Sequence, residues 1–403
     1  MKYSLPLLIN AKAMRNSMSI VNIKGQCDPR FEAVQQAFGK LFEDQTQVGA
    51  SFSLYYQGAL VVNLWAGETA NEVQPEWQQN SLVNVFSVSK AVTAICVQRA
   101  IDAGAMDVAR PVADYWPEYG CNGKKRTTVS QLLNHQAGQP ALKTQLADDA
   151  IYDWEQMTSV LASEEPWWQP GTDHGYHMIT YGWLVGEAFR RAVGLSVNQF
   201  LQDEIVKPNN LEMYFGVPDS ELSRIVNLSA AKGLPEPGRV SLFNHVMTEP
   251  ASVTARALMN PLSIMNGANT LPWRKAEIPS ANLHSTSASL ATLFGRVACR
   301  EGILSDAALQ RCQTEETAGP DRVLLTNSRF GPGFMLQQPG DLEAEFGPGL
   351  HAFGHPGAGG ALSFSDPEQE LGFSYVMNQL GPYVLIDPRP RSLIAAAYDC
   401  LKR

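Results

Sequence analysis

Phe86-Ser87-Val88-Ser89-Lys90-Ala91-Val92-Thr93-Ala94-Ile95-Cys96 decides how this chain is read. A serine hydroxyl is a weak nucleophile until a neighbouring base takes its proton. In Ser87-x-x-Lys90 that base stands three residues on, so a helix beginning at the serine puts both side chains on one face. Apolar residues at Val88, Ala91, Val92, Ile95 and Ile101 recur at helical spacing, and Gly104 is a natural stop. Ser87 would then sit at a helix N-terminus, where free N–H groups and the dipole favour developing negative charge. A second copy, Ser229-Ala230-Ala231-Lys232, runs straight into Gly233-Leu234-Pro235. No helix can follow it, so it reads as surface loop.

The sequence around this motif is organised by its two ends. Asp28-Pro29 is an N-cap followed by a first-turn proline, opening a helix with Phe31, Val34, Phe38, Leu41 and Phe42 as its buried stripe. Residues 50–56 and 59–65, two β-rich runs around Gln57-Gly58, predict an antiparallel hairpin. Residues 361–365 and 371–377, joined by Asp366-Pro367-Glu368-Gln369-Glu370, predict a second, and Pro390 starts a terminal helix. Between them lies a helix- and loop-rich middle containing Val129–Leu133, Tyr181–Val193 and a Pro/Gly/Asn-rich stretch from 234 to 279. The expected class is α+β: one antiparallel sheet built from both chain ends, flanked by helices, with a mostly helical domain inserted. The expected limits are a leader over 1–27, an α/β domain over 28–105 and 286–403, and an insertion over 106–285. Met18 is a candidate alternative start.

Composition excludes several classes. The 403 residues are 44% hydrophobic, enough to bury a large core, and the net charge of −9 argues against nucleic-acid or anionic-membrane partners. Six scattered cysteines without close pairs fit a reducing compartment better than a disulfide framework or zinc site. The opening Met1-Lys2-Tyr3-Ser4-Leu5-Pro6 is too broken to predict a signal peptide, so a cytoplasmic protein is expected.

Two further blocks carry chemistry. Trp167-Trp168-Gln169-Pro170-Gly171-Thr172-Asp173-His174-Gly175-Tyr176 holds a turn that can project a tyrosine into a cleft, where an adjacent ammonium would lower its pKa. Gly354-His355-Pro356-Gly357-Ala358-Gly359-Gly360 leads into the last hairpin, and its small residues let a substrate carbonyl approach strand backbone. Tyr181 is the substitute for Tyr176, although its place in a helix favours packing. His174 and His177 stand three apart but lack a third metal ligand nearby. His284 is expected at a helix start, with no assigned role.

In their order these blocks resemble the serine β-lactamase/penicillin-binding fold, with its Ser-x-x-Lys, central tyrosine or serine, and late Lys-Thr-Gly motifs. The chain resembles the family VIII carboxylesterases more closely, esterases related to class C β-lactamases. Val129-Ser130-Gln131-Leu132-Leu133-Asn134-His135-Gln136-Ala137-Gly138, Pro170-Gly171-Thr172 and Gly357-Ala358-Gly359-Gly360 match as well, so the likeness runs from about residue 28 to the end. It implies a cofactor-free and metal-free serine hydrolase acting on small-molecule esters through an acyl-enzyme. Ser87 would be the nucleophile, Lys90 its base or hydrogen-bond partner, and Tyr176 the second base and leaving-group acid. The N–H groups of Ser87 and Ala358 would form the oxyanion hole. His355, Gly357 and Trp168 would meet substrate, with structural hydrogen bonding the alternative for His355 and packing for Trp168.

Two departures tilt the reading from lactams to neutral esters. Tyr176-His177-Met178 ends in methionine where class C enzymes have asparagine, and His355 replaces the lysine of Lys-Thr-Gly. Both weaken recognition of an anionic lactam. A class C-like β-lactamase or D,D-peptidase, and an acyltransferase of the same fold, remain the alternatives.

Overall fold

The computed structural model describes residues 21–44, 47–231, 233, 235, 236, 239 and 241–402. Asp28 caps the first helical turn by accepting the Arg30 N–H, and the helix continues as α1 (Glu32–Glu43) with Val34, Phe38, Leu41 and Phe42 buried. The first hairpin is β2 (Gly49–Tyr56) and β3 (Ala59–Gly67), turned by Gln57 and Gly58, both at positive φ. Ahead of them, β1 (Lys24–Cys27) pairs antiparallel with β3, Lys24 opposite Trp65. This corrects the expected leader over 1–27. Those four residues hold their place through the backbone ladder, which leaves no hydrophobic alternation to read. Residues 1–20, with Met18, lie outside the described residues.

The helix of the opening motif is α2 (Val88–Asp102), with Ser87 at its N-cap and Gly104 at positive φ just past its end. It is more deeply set than an amphipathic stripe implies, since every residue from Val88 to Gln98 is buried. The inserted region carries α3 (Val129–Leu133) and α4 (Tyr181–Val193), and the Pro/Gly/Asn-rich stretch folds into short helices such as Val253–Met259. After it, α5 (Ser287–Ala298) precedes β4 (Thr317–Pro320), β5 (Asn327–Phe330), β6 (Met335–Leu336), β7 (Phe353–Pro356), β8 (Leu362–Asp366), β9 (Leu371–Met377) and the terminal α6 (Pro388–Leu401).

Among the described residues, nine strands form one sheet in the order β1-β3-β2-β9-β8-β7-β6-β5-β4, every neighbouring pair antiparallel. The two predicted hairpins meet through β2 and β9, Ser53 opposite Ser374, so the chain ends close the centre of the sheet. Helix α5 lies on that centre, where a Cβ on Gly372 would stand 2.1 Å from the Gly295 nitrogen. Only paired glycines permit helix and strand to approach so closely. His284 is not at a helix start: it lies in a short strand with Ser285, pairing with Asn84 and Tyr214 in a small second sheet. Of the second Ser-x-x-Lys copy, the described residues 229–231 are not helical, and the Ser229 N–H donates to the Asn378 carbonyl at 2.8 Å. No helix among the described residues is long and apolar enough to cross a membrane.

Candidate active site

The site begins where the chain turns into α2. Phe86 takes a positive φ of 44°, and Ser87 follows half-buried with its N–H unbonded to protein among the described residues. One turn on, Lys90 is completely buried. Its Nζ lies 3.1 Å from Ser87 Oγ and donates to the carbonyls of Met178 at 2.6 Å and Ser280 at 2.9 Å. Burial holds the Lys90 amine well below its ordinary pKa. Helix α2 is tied in place beside it, because the Ser89 hydroxyl accepts the Leu283 N–H at 3.0 Å.

Tyr176 stands against this amine, its ring centroid 4.7 Å from Lys90 Nζ. The Tyr181 ring is 5.8 Å away. Burial raises the pKa of both phenols; the Ser87 hydroxyl opposes the rise at Tyr176, whereas nothing polar does so at Tyr181. The Tyr176 hydroxyl completes no hydrogen bond of its own among the described residues. The sequence led to the opposite expectation, a phenol acidified by a neighbouring ammonium. Desolvation reverses it, because burial disfavours both the ammonium and the phenolate.

Histidines surround the tyrosine. His135, at φ 65°, accepts the His177 N–H on Nδ1 at 3.1 Å and sets its ring 5.0 Å from that of Tyr176. His177 donates from Nδ1 to the Gly175 carbonyl at 2.7 Å and accepts the Gln139 N–H on Nε2 at 3.1 Å, which fixes its neutral tautomer. His174 is buried beside Ser328 Oγ at 3.0 Å. His355, on β7, donates from Nδ1 to the Pro356 carbonyl at 2.7 Å; its ring is 5.6 Å from Tyr176, and its Nε2 has no partner among the described residues. Burial lowers the pKa of His177 and His355 to about 3 and holds that of His135 well below its ordinary value.

The turn after His355 abuts the entry to α2. A Cβ on Gly357 would stand 2.3 Å from the Val85 carbonyl oxygen, so glycine is required there. The Gly357 N–H is spent on the Ala361 carbonyl at 2.6 Å, but that of Ala358, half-exposed, donates to no protein group among the described residues. Trp168 stands behind the tyrosine turn: its indole N–H donates to the Asp173 carbonyl at 3.0 Å and its ring lies 6.4 Å from His177. Sequence reasoning missed His135, Ser280 and Asp321. His135 lay inside a quoted turn, and Asp321, after Gly319-Pro320, offered only a turn signal. Among the described residues no cluster of side chains could hold a metal ion.

Comparison with known proteins bears on the fold and the family. Residues 34–397 match the Beta-lactamase family. The chain is 30% identical over 372 residues to "Esterase/beta-lactamase LipL" of Mycobacterium tuberculosis (strain ATCC 25618 / H37Rv), covering 90% of this chain and 85% of that protein. Among solved structures it is similar to a penicillin-binding protein homolog from Caulobacter crescentus, with TM-score 0.85 and 35% identity over 94% of this chain and 100% of the other. It is also similar to a family VIII carboxylesterase, with TM-score 0.83 and 33% identity over 94% and 100% of the two chains. The chain therefore belongs to the beta-lactamase family, as a serine hydrolase of the β-lactamase/transpeptidase-like fold related to the family VIII carboxylesterases.

Proposed function

We propose that the protein is a carboxylesterase that cleaves short-chain esters through an acyl-enzyme on Ser87. The surroundings of Lys90 Nζ carry this reading. Two of its three neighbours are backbone carbonyls, which only accept and so take two N–H bonds. The third is the Ser87 hydroxyl at 3.1 Å. A neutral amine in that position keeps its lone pair for the serine proton, and burial favours the neutral form. As Ser87 Oγ attacks the ester carbonyl, its proton passes to Lys90. The oxyanion faces the N–H groups of Ser87 and Ala358, which have no protein acceptor to give up. Tyr176 donates its proton to the departing alkoxide and recovers one from the Lys90 ammonium, and water then attacks the acyl-enzyme with the same groups in reversed roles.

Neutral esters are favoured over lactams for two reasons. Position 355 offers an unprotonated imidazole where a carboxylate would need a cation, and Met178 contributes only its carbonyl to Lys90. A chain-length series of p-nitrophenyl esters beside a chromogenic cephalosporin tests this reading in wild type and Ser87→Ala. Expected are turnover that falls as the acyl chain lengthens, weak cephalosporin hydrolysis, and loss of at least roughly 10³-fold in Ser87→Ala. Residual ester activity above about a tenth would move the nucleophile elsewhere.

A further inference from the structure

Asp321 lies outside the motifs that mark the site, yet it is tied directly to the tyrosine. It is 3% exposed and forms no salt bridge among the described residues; Arg322 beside it turns outward to Asp173. Its Oδ1 accepts the N–H groups of Val323 and Leu324, each at 2.8 Å, and its Oδ2 accepts the Ser328 hydroxyl at 2.9 Å. Both oxygens share the Tyr176 N–H, at 3.0 and 3.1 Å. All these partners are donors, as a carboxylate requires. A buried anion without a counter-cation is expensive, and local turn bonds alone would not require one.

The segment that bears Asp321 also supplies Phe330, whose ring stacks parallel to that of Tyr176 at 6.2 Å and 3°. One segment thus contacts both the backbone and the ring of the tyrosine. The charge of Asp321 adds to burial in opposing a phenolate at Tyr176.

We propose that Asp321 is a positioning residue for leaving-group departure, holding Tyr176 aimed and protonated so that it can hand its proton to an alkoxide. The inference rests on the reading of Tyr176 as the leaving-group acid. When the acyl C–O bond breaks, its electron pair stays on the departing oxygen and the Tyr176 proton joins it. The phenolate left behind is disfavoured by the charge of Asp321 as well as by burial, which favours its recovery of a proton from the Lys90 ammonium. Alkyl esters, whose alkoxides cannot leave unprotonated, depend on this step. A p-nitrophenolate leaves without it.

The test is kcat/KM, which reports acyl-enzyme formation, for butyl butyrate and p-nitrophenyl butyrate; both give the same acyl-enzyme. Asp321→Asn keeps the shape and an oxygen for Val323 and Leu324 but removes the charge. It is expected to lower kcat/KM for the butyl ester at least about tenfold more than for the p-nitrophenyl ester, and Asp321→Glu to recover part of that discrimination. If Asp321→Asn does not fold, Ser328→Ala, which loosens the carboxylate and leaves it charged, is expected to show the same selectivity in smaller measure. Equal losses on both esters, or no loss, would overturn the proposal. Tyr176→Phe separates the two layers. Selective loss there with a uniform loss in the Asp321 variants refutes Asp321 alone, whereas uniform loss in Tyr176→Phe removes the acid reading beneath it.

Discussion

Ser87 and Tyr176 both adjoin Lys90 but are held in place in opposite ways. Ser87 and Lys90 share one turn of α2, so their 3.1 Å separation follows from helix geometry, and a helix buried from Val88 to Gln98 keeps it. Tyr176 sits in a turn with no regular structure of its own. It is fixed by His135 and His177 at its sides, Phe330 on its ring and Asp321 on its N–H. Local chemistry sets the first wall and tertiary packing the second. The helical wall is therefore expected to tolerate changes in its neighbours, and the tyrosine wall to transmit them to the reaction.

The largest expected effect lies in the helical wall. Lys90→Met keeps much of the volume but removes the proposed base, and should lower p-nitrophenyl ester turnover by about 10²–10⁴-fold. The carbonyls of Met178 and Ser280 lose their donor, worth about 1–3 kcal/mol each, while the desolvation of the amine disappears, so the change in melting temperature should be modest. Circular dichroism melts beside kinetics check both. A mild rate loss here together with a severe one in Tyr176→Phe on the same activated ester would place the base in the opposite wall.

The contrast also governs what could be read in advance. Ser87 and Lys90 were legible because both lie in one helical turn. The two hairpins were legible from β-rich runs and the turn residues between them. Tyr176 was legible because Pro170-Gly171-Thr172 announces a turn, but the direction of its pKa was not, since burial is a property of the assembled core. Asp321 and Ser280 join their partners across 145 and 190 residues, and no local pattern encodes such contacts. β1 was missed for a related reason: the backbone that pairs it with β3 leaves no mark on its side chains. His284 was misplaced because Asn282-Leu283-His284-Ser285 carries the polar residues of a helix cap while tertiary pairing makes it a strand.

The walls should separate in a second way, through the pH at which each opposes folding. His177, His284 and His355 titrate near 3 in the folded protein and His135 well below its ordinary value, all by burial, against 6.5 when exposed. A depressed folded pKa means the unfolded chain binds the proton first. Their contribution is thus intact above about pH 6.5 and is lost as pH falls from there towards 3. Each of His177, His284 and His355 contributes about 1.4 kcal/mol per pH unit within that window, so these three together steepen the loss by roughly 4 kcal/mol per unit near pH 5, and His135 acts in the same direction. Lys90 follows the same sign in another range, its penalty growing as pH falls from 10.5. Urea midpoints are therefore expected to drop sharply between pH 6.5 and 4, and to drop less steeply in His355→Gln. A flat profile would mean that the histidines around Tyr176 are charged and solvated.

The smallest effect tests what His355 does at the edge of the tyrosine wall. Its Nδ1–H is committed to the Pro356 carbonyl and its Nε2 is unprotonated, so it offers a substrate an acceptor and no charge. His355→Lys would place an ammonium there. A charge-assisted bond to a lactam carboxylate is worth about 1.5–3 kcal/mol. Against it stand the burial of position 355 and the proximity of Lys90, which in the proposed mechanism becomes a second cation on taking the serine proton. The balance predicts a rise in nitrocefin kcat/KM relative to p-nitrophenyl butyrate of about tenfold, near 1.4 kcal/mol, accompanied by a lower melting temperature. The ester has no carboxylate and gains nothing, so the ratio isolates the new contact from general damage. If the ratio stays at its wild-type value while the protein remains folded, the obstacle to lactams is the methionine at position 178, whose side chain replaces an amide, rather than the imidazole.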